Sequence, residues 1–373
     1  MNFSLNDEQQ ALIKTVEQFA ATQLTATTGF SRERWKAAAA QGLTALPAPP
    51  NLGGSDSSAF ETACYFEALG HYASDSGFVF SLGAHLFAGV MPLLTGGTAE
   101  QQNEWLPRIA AGDCLLANAM TESSSGSDAY AMKTTAVKKD NIYILNGSKQ
   151  FCTNAPVADV LVVYAVTDPA KVFFGGISAF LVDAKQAGVT IGPVQEKMGL
   201  ENSPLAEVFF ENVEVNENRL IGKAGSGTML FQHSMQWERV GLSAWHVGSM
   251  QQLIDRSVNY ANTKSTGGKL IAEHQAVAFR LADMQTRCEA ARMLVHRAAH
   301  QLDSKSHSTR EAAMAKVFTS EALIQTAQDA LLIHGGNGYM KSFDIEHFLR
   351  DAMASATYSG TNDVLRLLVA GQL

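Results

Sequence analysis

The stretch that most constrains this chain is a run of about 35 residues, Thr228 to Asn262, patterned as one long helix. At roughly 100° per residue, Phe231, Met235, Leu242 and Trp245 fall on the same face as Glu238. A carboxylate on an apolar face reads two ways. It is an ordinary helix Glu paired with a Lys or Arg, or a group whose burial disfavours its charge and raises its pKa towards that of a base able to take a proton from carbon. The helix alone does not choose. Further helical segments near residues 272–303, 308–334 and 361–371 have lengths that suit an antiparallel bundle built around it.

Composition narrows the class. At 373 residues the chain is too long for one simple core, and 46% hydrophobic with 17% charged residues is a globular balance. The net charge of −8 argues against nucleic acid or an anionic membrane as main partner. Cys64, Cys114, Cys152 and Cys288 are widely spaced with no CxxC, which points to reduced thiols and no zinc site. Met1 to Asp7 lacks a basic, then apolar, leader, and no stretch of about 18 apolar residues is read, so a cytoplasmic location is expected.

Three textures follow along the chain. Residues 1–113 read as helices: Asn6 or Asp7 starts one that runs to about Thr28, Ser31 caps a second to Gln41, and Thr98 to Gln101 is a capping box, with a Pro/Gly/Ser-rich loop over Pro47 to Ser58. Residues 114–222 read as a small β domain, with runs at Ile142 to Leu145, Val160 to Val166, Ile177 to Val182 and Ala206 to Val215, and Asn146-Gly147 as a tight turn. Residues 223–373 read as the bundle, joined by a polar connection at Asp303 to Thr309. A ligand of such a chain is expected at the junction of the β domain and the bundle.

Ala117 to Asp128 is dense in backbone and hydroxyl donors that can bind a planar heteroaromatic ring and a phosphate, or can simply form a polar surface turn. No GxGxxG follows a strand, so a dinucleotide would not be held in the Rossmann manner. Met120-Thr121-Glu122 with Gly126-Ser127-Asp128, then Asn146-Gly147-Ser148-Lys149 with Phe151-Cys152-Thr153-Asn154, then Leu281-Ala282-Asp283-Met284, His334-Gly335-Gly336-Asn337-Gly338 and Arg350-Asp351-Ala352 succeed one another in a telling order. In these motifs the chain resembles the flavin-dependent acyl-CoA dehydrogenase family over essentially its whole length.

That resemblance implies an α+β fold with an N-terminal helical domain, a middle β domain and a C-terminal four-helix bundle. FAD would lie between the last two and be shared across a dimer or tetramer interface. Met120 and Thr121 would meet the flavin ring and Ser127 the pyrophosphate. Phe151 and Thr153 would cover the ring, unless they are plain strand packing. Lys264 would approach the pyrophosphate, and Gln275 and Gly336 the adenine half, from the partner subunit. Thr361 matches a flavin contact and also suits an N-cap.

The departures from the family pattern are informative. The usual catalytic Glu before a C-terminal Gly-Thr pair is Ser359 here, too weak a base to hold a proton from carbon. Glu238 instead matches the bundle-helix position of the isovaleryl and long-chain types. The family's Arg-x-x-Phe-Gly is Lys264-Ser265-Thr266-Gly267-Gly268, which keeps the charge and loses the planar fork, and Leu332 replaces a usual Gln. Ser81-x-x-Ala84-His85-Leu86, Trp237-Glu238, Leu242-Ser243-Ala244 with Val247-Gly248, and Ser359 to Asp363 resemble a narrower branch. Its members oxidise acyl or aminoacyl thioesters, such as prolyl or seryl-derived groups, on phosphopantetheine-bearing carrier proteins of peptide and polyketide assembly lines, and pass electrons to an acceptor. Arg280 and Arg287 fit either a docking patch for such a carrier or a solvated face. Two other readings stand beside this one, an ordinary acyl-CoA dehydrogenase and a redox-silent binding scaffold.

Overall fold

The structure, a computed structural model, describes residues 6–25, 28–171, 175–304 and 309–373. Met1 to Leu5 and most of the connection read at Asp303 to Thr309 lie outside them.

Local capping starts the N-terminal helices. Asn6 Oδ1 accepts from the Gln9 amide at 2.8 Å and the Asn6 amide donates back to the Gln9 side chain, opening α1 (Asp7–Gln23). Ser31 opens α2 (Arg32–Ala40), Ser58 with Glu61 opens α3 (Ala59–Tyr72), and Asp75 opens α4 (Ser76–Gly83). The helix continues through a π-helical stretch, Ala84–Val90, into α5 (Met91–Gly96). The Thr98–Gln101 box then starts α6 (Ala99–Ala110). The first helix stops short of the expected Thr28 for a tertiary reason. Leu24 is fully buried, and its carbonyl accepts from the Ser74 and Asp75 amides, which turns the chain away.

Ser76–Gly96 also corrects the sequence reading, which found no apolar stretch this long. An 18-residue window within its 21 residues has a mean hydropathy of 1.7, enough by length and composition to cross a membrane, but 89% of that window is buried inside this fold. It is a core helix.

The middle domain is one sheet of eight strands: β1 (Leu116–Ala119), β2 (Thr135–Lys139), β3 (Ile142–Thr153), β4 (Val160–Val166), β5 (Ile177–Asp183), β6 (Val189–Ile191), β7 (Leu205–Asn216) and β8 (Leu220–Ile221). The order is β6-β7-β3-β2-β4-β5-β8, with β1 parallel to β4 on its other side, and β2 meets β4 only at Thr135 opposite Val166. β4 is buried on both faces, as its unbroken apolar run requires. Asn146-Gly147 is not the expected turn. β3 runs straight through it, and the register against β7 slips there instead, with Asn146 Oδ1 accepting from the Asn212 amide at 2.8 Å. Long pairing with β7 overrides the local turn signal, and the bulge falls on β7 opposite Asn146, where Asn212 sits at φ 50°.

The C-terminal helical domain begins with α7 (Gly227–Ala261), 35 residues long, followed by a hairpin of β9 (Ser265–Thr266) and β10 (Lys269–Leu270). Gly267 and Gly268 turn this hairpin at φ 57° and 80°, the pair of left-handed residues a two-residue corner requires. Then come α8 (Gln275–Asp303), α9 (Thr309–His334), α10 (Gly336–Tyr339), α11 (Glu346–Ala354) and α12 (Asn362–Ala370). Arg280 and Arg287 both bridge from α8 to Asp329 on α9, so they serve as an internal clamp between helices.

α3 and α7 cross in backbone contact. A Cβ on Gly248 would fall 1.9 Å from the Glu67 carbonyl, and one on Gly70 would fall 2.2 Å from that of Trp245. One continuous apolar core therefore runs through all three domains. The four cysteines are free and buried within it, their thiols pushed up to about 12 by burial.

Candidate active site

Two stretches far apart in sequence form one wall. β1 delivers Met120 and Thr121, and the end of β3 delivers Phe151 and Thr153. The Gln150 amide donates to the Thr121 carbonyl at 2.7 Å, and Lys149 Nζ donates to the Met120 carbonyl at 2.9 Å. A second register shift between Lys149 and Cys152 puts Phe151 at φ 55° and turns its ring outward, 58% exposed. A bulge that re-aims an aromatic side chain beside a site is a common use of the device.

Beneath this wall lies an ion pair that sequence reasoning missed. Lys149 is almost fully buried, and its Nζ meets Glu122 Oε1 at 2.9 Å. Glu122 also accepts from the Lys133 amide at 2.6 Å and the Thr134 amide at 2.9 Å, so it ties together both ends of the loop that carries Ser127 to the surface. Burial opposes its ionisation, but the Lys149 charge and these N–H donors prevail and hold the carboxyl below its ordinary value. Ser125 Oγ and Asn118 Oδ1 are buried here with no hydrogen-bond partner among the described residues. Orphaned side-chain polar atoms and an outward-facing ring suit a planar heteroaromatic group such as the expected flavin.

The opposing wall is α7. Phe231 meets the β-domain rings of Tyr164 and Tyr130 edge-on, with centroids 5.5 and 6.2 Å apart. Two turns further along, Glu238 is buried, as its apolar face predicts. Burial pushes its carboxyl above the ordinary range, opposed by a hydrogen bond from Ser359 and the nearby Arg239 and Lys316 charges. The simple reading of a helix Glu paired with a basic side chain does not describe it, since its hydrogen-bond partner among the described residues is the Ser359 hydroxyl, at 2.5 Å.

The segment carrying Ser359 is held from both long helices. Arg239 Nε donates to the Ser359 carbonyl at 3.0 Å. The buried Lys316 Nζ donates to the Gly360 carbonyl at 2.9 Å and to Asn362 Oδ1 at 3.0 Å, and burial together with the Arg239 charge lowers its pKa to about 7. Thr361 caps α12 by accepting from the Val364 amide at 3.3 Å. The Tyr358 hydroxyl lies 2.5 Å from His246 Nε2, and its ring packs against Phe80 at 4.7 Å.

Lys264, Gln275 and Gly336 lie elsewhere, exposed at the far end of the bundle around the stacked Tyr260 and His334 rings. The helix from Glu238 to Ala261 alone places them about 35 Å from Glu238, at 1.5 Å per residue. Leu332 is 59% and Tyr339 77% exposed at that same end.

The described family models match in order: acyl-CoA dehydrogenase N-terminal domain over residues 6–113, middle domain over 117–213 and C-terminal domain over 225–373. The chain is 36% identical to an acyl-CoA dehydrogenase of Bacillus subtilis (strain 168), covering 99% of this chain and 98% of that protein. It is 37% identical to an L-prolyl-[peptidyl-carrier protein] dehydrogenase of Serratia sp. (strain ATCC 39006), over 100% of this chain and 98% of that one. The solved FAD complex of PigA superposes with a TM-score of 0.97 at 36% identity, covering 100% of this chain and 99% of that one. With all three family domains matched in order along nearly the whole chain and relatives at 36–37% identity over its full length, the chain belongs to the acyl-CoA dehydrogenase family, whose members are FAD-dependent oxidoreductases.

Proposed function

We propose that the protein oxidises an acyl or aminoacyl group, such as prolyl or a seryl-derived unit, held as a thioester on the phosphopantetheine arm of a carrier protein. The observation that carries the chemistry is Glu238: a buried carboxylate of raised pKa, aimed by Ser359 and set across from the wall of Met120, Thr121, Phe151 and Thr153. The thioester carbonyl acidifies the neighbouring carbon, and Glu238 takes its proton. FAD, bound there, supplies the ring that accepts the hydride. Met120, Thr121, Phe151 and Thr153 hold that ring, Ser127 contacts the pyrophosphate, and Thr361 adds a contact from the end of the bundle.

Lys264, Gln275 and Gly336 serve the cofactor of a partner subunit, because about 35 Å of helix separates them from the base of their own chain. The exposed Leu332 and Tyr339 beside them favour a covered surface in a homodimer or homotetramer. Reoxidation requires an electron acceptor, an electron-transferring protein or oxygen. The assignment to a carrier-protein thioester rests on the Ser81 to Leu86, Trp237-Glu238 and Ser359 to Asp363 motifs, together with the likeness to the Serratia L-prolyl-[peptidyl-carrier protein] dehydrogenase.

The 36% identity to the Bacillus subtilis protein favours a second reading, an ordinary acyl-CoA dehydrogenase. One experiment separates the two. The purified flavoprotein is incubated with matched prolyl and acyl thioesters of a carrier protein and of CoA, and the products are read by mass spectrometry for loss of two hydrogens. Turnover confined to the carrier thioesters supports the proposal. Equal or better turnover of CoA thioesters replaces it with the second reading, and a colourless protein that takes up no FAD and oxidises neither leaves only the redox-silent scaffold.

A further inference from the structure

Ser359 is a non-glycine residue at φ 56°, followed by Gly360 at φ 90°. Left-handed backbone at a serine is unfavourable, and glycine adopts it freely. The fold nevertheless enforces this conformation, because Arg239 from α7 holds the Ser359 carbonyl and Lys316 from α9 holds the Gly360 carbonyl. Asn362 fixes the far side, its Oδ1 accepting from Lys316 at 3.0 Å and from Ser320 Oγ at 3.1 Å. The result of all this anchoring is one short contact, the Ser359 hydroxyl donating to Glu238 Oε1 at 2.5 Å.

We propose that Ser359 is a positioning residue for the base: its hydroxyl fixes the orientation of the Glu238 carboxylate and reserves Oε2 for the substrate proton, while Arg239 and Lys316 hold the backbone that presents the hydroxyl. This rests on the reading of Glu238 as the base. Oε2 has no hydrogen-bond partner among the described residues. A hydroxyl that donates to a carboxylate stabilises the ionised form, so the same bond keeps the buried acid available as a base at neutral pH. The charged and titratable groups facing Glu238 are Arg239 on its own helix, Lys316 on α9, Tyr164 on β4 and Tyr358 beside Ser359. Lys316 titrates at about 7, so a rate profile alone would mix its ionisation with that of the base.

The test compares Ser359→Gly, Ser359→Ala and Glu238→Gln with the wild-type protein by two readouts. The first is the rate of flavin reduction by the active thioester, carrier or CoA, against pH. The second is the infrared carboxyl band of Glu238 in the apoprotein, identified by its loss in Glu238→Gln and titrated with pH. Ser359→Gly suits the left-handed backbone and removes the hydroxymethyl group, while Ser359→Ala removes the hydroxyl alone. The expected result is a rate about tenfold lower at neutral pH with little change in KM, and a carboxyl midpoint about one pH unit higher, the scale of one charge-assisted hydrogen bond. Ser359→Ala should move both the same way. An unchanged midpoint, or an unchanged rate, in Ser359→Gly overturns the proposal. Wild-type reduction by Glu238→Gln would instead overturn the base itself, a distinct failure.

Discussion

Glu238→Gln is the perturbation that tests most of the site at once. Gln keeps the size of the side chain, and its Oε1 can still accept the Ser359 hydroxyl, now at 2.5 Å from the carboxylate, so the geometry should survive. What is lost is the capacity to take a proton. Losing a general base slows a reaction at least about a hundredfold, equivalent to about 2.7 kcal/mol at 1.36 kcal/mol per decade. Single-turnover flavin reduction by substrate, followed by bleaching of the flavin absorbance, reads this directly.

Stability gives an independent sign. Burial raises the folded pKa of Glu238, so its contribution is fully present below the unfolded carboxyl value of about 4.3 and is lost as pH rises through the folded value. The neutral Gln carries no such loss. Apoprotein melting curves should therefore shift in favour of Glu238→Gln as pH rises above the unfolded carboxyl value. Near-wild-type flavin reduction would remove Glu238 from the mechanism. A variant that melts lower than wild type at pH 8 would refute the desolvation argument and make Glu238 a stabilising partner of Arg239.

Lys149→Met leaves Glu122 buried with its amide donors alone and releases the Met120 carbonyl; breaking a buried pair from one side costs about 3–5 kcal/mol, so the apoprotein should melt lower and bind FAD more weakly in fluorescence titration, with partial recovery in Lys149→Met/Glu122→Gln. Wild-type melting and affinity in the single variant would show that the pair does not brace the wall. The purified protein should scatter light as a dimer or larger and lose FAD on dilution to monomer, and a monomer that retains FAD would contradict the shared cofactor site.

What could be read from the residues was mostly local. The caps at Asn6, Ser31, Thr98 and Thr361 each act within three residues, and the long apolar stripe around Glu238 repeats along one helix, so both are visible in the sequence. Asn146-Gly147 carries an equally local turn signal, yet β7 pairs across it and decides otherwise. The Glu122–Lys149 pair joins residues that meet only when β1 and β3 are brought together, and Lys316 reaches Gly360 only when α9 packs under the final turn. Glu122 and Lys149 do lie within quoted motifs, but nothing in their spacing names them as partners. The apolar stripe and the family resemblance single out Glu238, and the structure adds its contact with the Ser359 hydroxyl.

One helix, α7, carries Glu238 near its middle and leads at its end to the Lys264 hairpin. If Lys264 serves the neighbour's cofactor, each active site is a mosaic of two polypeptides, and lesions at the two positions become separable by mixing subunits. A heterodimer of one Glu238→Gln chain and one Lys264→Ala chain has both defects in one site and neither in the other. Two inactive parents would then yield active offspring, as in interallelic complementation, whereas a site built wholly from one chain would yield none.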